Sequence, residues 1–236
     1  MSGTIVGAMN DHVRDLASVR EATDRLLAAT GRLDNADVTQ PSRLPGWTRG
    51  HVLVHLARNA DALVNVLEGR PMYESAEARE ADIERDAARP LAVQQEDVRD
   101  SAARFDGTAA APADWSRTVA LRNGVTDSAS RIPFRRLVEV ELHHVDLGIG
   151  YELEDLPEEF TGREIAFLAD RFAGHPAVPA IALTDTGGGR WRTGSAAGDP
   201  VRVTGGAPDL LGWLAGRRDG AALDTAGAPL PALPPL

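Results

Sequence analysis

The chain has no cysteine. It can therefore form no disulfide, offer no thiolate to a metal and supply no thiol nucleophile of its own. It also lacks any apolar run near the ~18 residues needed to span a membrane. The opening Met-Ser-Gly-Thr-Ile-Val-Gly-Ala-Met-Asn carries neither a basic n-region nor a long apolar core, so a cytoplasmic protein is expected. Basic residues are in deficit: 25 Lys and Arg against 35 Asp and Glu give a net charge of −10. That balance argues against nucleic acid as a partner, because nucleic-acid binding draws on counterion release at basic patches. It also means that an anionic substrate must be held by a few local arginines rather than by the overall field. No internal repeat, phosphate-binding glycine loop or serine nucleophile elbow occurs.

At 236 residues the chain can form one large domain, or one medium and one small domain. Its 43% hydrophobic and 25% charged content is that of a globular protein. Residues 11–30 read as a first helix, with Val13, Leu16, Val19, Leu26 and Leu27 at helical spacing and His12 at an exposed start. The turn-rich segment 41–48 ends in Thr48, a candidate N-cap. A second helix is expected over about 49–68, with Val52, Leu53, Leu56, Ala60, Leu63, Val64 and Leu67 on one arc. A charged helical stretch follows from Ser75, is kinked or split at Pro90 and ends near Phe105, leaving 106–113 as a loop. Residues 115–121 and 125–132 flank Asn123-Gly124, the dipeptide of tight hairpin turns.

The fourth helix carries the chemistry. Phe134, Val138, Leu142 and Val145 form an apolar stripe, while Glu139 and His143 sit one turn apart at its margin and Asp146 joins that edge. A carboxylate and an imidazole placed this way can close on one metal ion; they can equally be an i,i+4 pair on a solvated face. On the second helix His51 and His55 are also four apart. Wheel position turns His55, with Asn59, toward the core edge and His51 outward. His55 is either a satisfied core histidine or the third ligand of a site shared with Glu139 and His143.

Composition shifts near Tyr151, so a helical unit over 1–150 is expected to give way to a smaller unit over 151–236. The second unit reads as a linker, a helix over 161–172, short strands over 179–185, 190–194 and 201–204, and a helix over 209–217. The Ala228–Leu236 tail is too proline-rich for helix or inner strand and is expected to pack as an extended strap. Helices mixed with a few antiparallel strands suggest an α+β module.

Four tracts in order, residues 44–60 (Leu-Pro-Gly-Trp-Thr-Arg-Gly-His-Val-Leu-Val-His-Leu-Ala-Arg-Asn-Ala), 71–79 (Pro-Met-Tyr…Glu-Ala-Arg), 136–147 (Arg-x-x-Glu-x-x-x-His-x-x-Asp-Leu) and 215–217 (Ala-Gly-Arg), resemble the mycothiol-dependent maleylpyruvate isomerase family, within the DinB-like metalloproteins. The resemblance implies an N-terminal DinB-like four-helix bundle with a small C-terminal α+β domain. It implies a zinc held by His55, Glu139 and His143, and arginines at 79 and 217 that bind mycothiol or substrate, Arg217 being the one important for activity. Asn59 and Asp146 match family positions as residues behind the ligands, whereas Glu141 and His144 depart from the pattern. The implied reaction is isomerisation of maleylpyruvate to fumarylpyruvate by thiolate addition, bond rotation and elimination. Mycothiol would bring the sulfur that a cysteine-free chain lacks. The rival readings are a mycothiol S-transferase and a zinc-binding regulator without activity. A monomer without membrane association is the expectation.

Overall fold

Polar caps set where the first helices begin. Asp11 accepts from the Arg14 amide to open α1 (His12–Thr30), Asp34 forms a capping box for the short α2 (Asn35–Val38), and Thr48 accepts from the His51 amide to open α3 (Arg49–Leu67). The computed structural model describes residues 11–111 and 113–235. The opening ten residues read above for a leader, Pro112 of the expected 106–113 loop and Leu236 of the tail lie outside the described residues. The chain divides into two compact units, Met1–Tyr151 and Glu152–Leu236.

In the first unit α4 (Ala76–Asp86), α5 (Leu91–Ala110) and α6 (Ile132–Asp146) complete the helices. Four of them make the bundle: α3 packs on α5 and α6, and α1 packs on the same two. Leu26, Leu53, Leu56, Leu63 and Phe105 are almost wholly buried between them. Each such side chain contributes roughly 1.5–3 kcal/mol by leaving water.

Several local expectations change. Pro90 splits the charged stretch into α4 and α5, the second of the two outcomes expected there, but α5 runs on to Ala110, into the expected loop. Buried Ala109 extends the apolar seam beyond Phe105 and holds that last turn. Gln94, buried in α5, donates to the carbonyls of Ala87 and Arg89 and so closes the end of the preceding helix. Helix α6 is buried on two sides rather than along one stripe. Leu137, Val140, Glu141 and His144 are as enclosed as Phe134, Leu142 and Val145, because α1 and α3 both pack against it. The hairpin pairs only β1 (Thr118–Ala120) with β2 (Thr126–Ser128), since a 3₁₀ turn over Arg122–Gly124 with Asn123 at φ 58° consumes more chain than a two-residue turn. His12 is half-buried rather than exposed, its ring stacked 4.3 Å from Trp115.

The second unit is α+β. Helix α7 (Glu158–Phe172) begins three residues before the expected Thr161, and three strands follow: β3 (Ile181–Asp185), β4 (Arg190–Thr193) and β5 (Val201–Gly205). Their order is β4-β3-β5. Pairing of β3 with β4 is antiparallel, but β5 runs parallel to β3, which corrects the all-antiparallel expectation. The β4–β5 connection carries the chain back so that β5 starts beside the start of β3, a path that residue alternation does not encode. Helix α8 (Ala207–Leu214) stops short of Arg217: Gly216 at φ 69° turns the chain away. The proline-rich tail forms neither helix nor strand from Pro229 to Pro235. Among the described residues no helix is long and apolar enough to cross a membrane.

Candidate metal centre

Because α3 and α6 pack directly, residues at the margins of their apolar faces meet. His55 comes from the middle of α3, while Glu139 and His143 come from successive turns of α6. Glu139 Oε2 lies 2.9 Å from His55 Nε2 and 3.2 Å from His143 Nε2. The two rings stand edge-on, their centroids 4.5 Å apart. One ligand atom from each of the three residues falls within 4.8 Å of the others. Ligands of a tetrahedral zinc lie about 3.3–3.5 Å from one another, given metal–ligand bonds of about 2.0–2.2 Å, so this donor set fits a zinc ion with small adjustments. Two imidazoles and one carboxylate also leave a fourth position open, the arrangement of a catalytic rather than a structural zinc.

The neighbours of these groups orient them. His143 Nδ1 lies 2.9 Å from Oδ2 of the buried Asp146, which directs Nε2 toward Glu139. His55 Nδ1 lies 3.0 Å from Arg79 Nη2. A guanidinium only donates, so this nitrogen accepts and the proton of the neutral ring sits on Nε2, facing Glu139. A metal held at Nε2 would take that proton's place. Trp47 lines His55 with ring centroids 5.5 Å apart.

Electrostatics follow from the same geometry. Burial, reinforced by the neighbouring His143, lowers His55 to about 4, so its ring is neutral at neutral pH, as a ligand must be. Burial opposes the charge of Glu139, but the bonds from His143 and His55 outweigh it and hold the carboxyl well below its usual range. For His143 burial is likewise outweighed, by Asp146 and Glu139, and its affinity for a proton rises.

The other sequence candidates fall as follows. His51 points away from the cluster: its Nδ1 meets Thr48 Oγ1 at the helix cap and its Nε2 lies 3.2 Å from Glu84. His144 is buried and stacks on Tyr151, with ring centroids 4.0 Å apart. Glu141 is buried with it, accepting from Arg25 and from the Tyr151 hydroxyl. Asn59 Oδ1 accepts from Arg136 at 2.8 Å. Arg79 is drawn onto His55. Arg217 belongs to the second unit, where its Nη1 donates to the Ala215 carbonyl. Sequence reasoning gave no role to Arg136. Spacing held the clue to Arg136, three residues before Glu139 on the same helix.

The comparisons with known proteins agree in both halves. Residues 19–148 match the family model described as the mycothiol maleylpyruvate isomerase N-terminal domain, and residues 155–235 match the MDMPI C-terminal domain. A solved mycothiol-dependent maleylpyruvate isomerase is 29% identical with TM-score 0.84, the match covering 94% of this chain and 96% of that one. The structure of a histidine-to-alanine mutant of such an isomerase matches at 28% identity, TM-score 0.84 and the same coverage. No curated protein sequence matches the chain.

Proposed function

Because the chain belongs to the mycothiol-dependent maleylpyruvate isomerase family, we propose that it isomerises maleylpyruvate to fumarylpyruvate with mycothiol and a zinc ion held by His55, Glu139 and His143. The observation that carries this reading is the single carboxylate oxygen of Glu139 facing the Nε2 atoms of both histidines. Zinc, when bound, supplies a Lewis acid that favours the thiolate of a thiol whose free pKa is about 8.5. Mycothiol supplies the sulfur, which adds to the cis double bond, leaves a single bond free to rotate, and is expelled as the trans bond re-forms.

The chain's own residues set the conditions. With zinc bound, Glu139 would offset one of the ion's two positive charges. Asp146 fixes the tautomer and ring angle of His143. Arg79, at His55, adds a second positive charge from α4. Arg217 is assigned to a substrate carboxylate or to the enolate charge that develops after sulfur addition.

Progress curves of zinc-loaded protein with maleylpyruvate test the proposal. Without thiol no fumarylpyruvate should form. Substoichiometric mycothiol should drive complete conversion, since it is regenerated. Glutathione, a charged tripeptide that lacks the sugar and inositol hydroxyls by which mycothiol can be oriented, should substitute poorly. Full turnover without thiol overturns the mechanism, and stoichiometric consumption of mycothiol converts the reading to an S-transferase.

A further inference from the structure

Arg136 is fully buried in α6, one turn before Glu139. Its Nη1 donates to the Leu56 carbonyl and to Asn59 Oδ1, both at 2.8 Å. Among the described residues its Nε and Nη2 meet no acceptor, and both atoms are closed to solvent. The carboxylates whose charge reaches it are Glu139 and Asp61. Glu139 is engaged by two histidines, and Asp61 by Arg58 and Arg104. The guanidinium is thus a buried charge without a bonded counter-ion.

Such a charge is unfavourable unless something compensates it. Pinning α6 to α3 needs only the Nη1 bonds and accounts for neither remaining donor. Those two donors share one edge of the planar group: the Nε–H and the adjacent Nη2–H point the same way, at the spacing of the two oxygens of a carboxylate.

We propose that this open edge of Arg136 receives a carboxylate of the anionic substrate beside the metal centre. The inference rests on the reading of the site as one for a dicarboxylate, and it adds a recognition residue from the bundle itself to the arginine assigned in the second unit. Since the donors are dry, a covering side chain must move to admit the anion. Once paired in a low-dielectric setting, a charge-assisted fork is stronger than the same pair in water.

The test is calorimetric titration of maleate, a cis dicarboxylate, into zinc-loaded protein without thiol, at constant ionic strength. Wild type is compared with Arg136→Lys, which keeps the charge and one donor for Leu56 and Asn59, and with Arg136→Met, which removes both. Both variants should retain zinc by metal analysis and lose maleate affinity by about 30-fold or more, the larger loss in Arg136→Met. Binding to the zinc ion alone is insensitive to Arg136. Wild-type affinity in Arg136→Lys overturns the assignment of the open edge, as does absence of maleate binding to wild type. Unfolding of both variants assigns Arg136 to the fold and overturns it as well. If isomerisation fails in wild type while maleate binding still depends on Arg136, the proposed reaction falls and the carboxylate site stands.

Discussion

If His55, Glu139 and His143 hold zinc as proposed, binding would couple to the stability of the first unit, because the three residues come from two helices that separate on unfolding. With free zinc about 100-fold above its dissociation constant, the folded state gains about 2.7 kcal/mol. For a unit of this size that is a rise of about 5–11 °C in the melting temperature. His55→Ala, Glu139→Gln and His143→Ala should each reduce the increment to near zero, since two remaining ligands hold the ion poorly. His51→Ala and His144→Ala should keep it. The His144 variant is the more demanding control. Its ring is buried against Tyr151, so its loss leaves a void and lowers the metal-free melting temperature, yet the zinc increment should be that of wild type. Differential scanning calorimetry with and without zinc, paired with metal analysis, separates the two effects. Loss of the increment in His51→Ala together with its retention in His55→Ala refutes the ligand assignment.

Three further outcomes are expected. Asp146→Ala frees His143 Nδ1 and should weaken zinc binding by about 10–100-fold without abolishing it, as read by competition with a chelating dye. Arg217→Ala should keep zinc but lower turnover of maleylpyruvate by roughly 30- to several-thousand-fold in steady-state kinetics; near-normal rates remove it from the site. Gly194→Ala should destabilise the second unit by about 2 kcal/mol or more in urea unfolding, because at φ 71° the new Cβ would stand 1.8 Å from the Pro179 carbonyl oxygen.

What the residues disclosed tracks the kind of signal each carries. Helical periodicity is local and repeated, so the run from Arg49 to Leu67 was bounded almost to the residue and His55 was separated from His51 by angle alone. The helix containing Glu139 and His143 was legible as a helix, as was the spacing that puts them one turn apart, but its start at Ile132 was not, since residues 125–132 read as the flank of a hairpin. Contacts between elements left weaker marks. The parallel pairing of β3 with β5 depends on the route of the chain between strands, and each strand is too short for alternation to distinguish its direction. The last turn of α5 rests on Ala109, a small residue that reads as neutral in sequence and is buried in the fold.

The charged residues mark the deeper limit. Hydrophobic patterning sorts side chains into apolar ones turned inward and charged ones turned outward, and on α6 that rule fails at Arg136 and Glu141, as it does at Asp146 beside His143. Glu141 is compensated inside the fold, by Arg25 of α1 and by Tyr151. Such a partner lies far along the chain, 116 residues away in the case of Arg25, so pattern alone cannot find it. Arg136 is satisfied on one edge and open on the other. The two residues therefore break the same sequence rule for different physical reasons. An internal partner accounts for burial of the glutamate, whereas the arginine, on the turn preceding the metal-ligand cluster, keeps donors in reserve. A buried charge left partly unpaired at that position is the feature expected of a residue whose counter-ion arrives with the substrate.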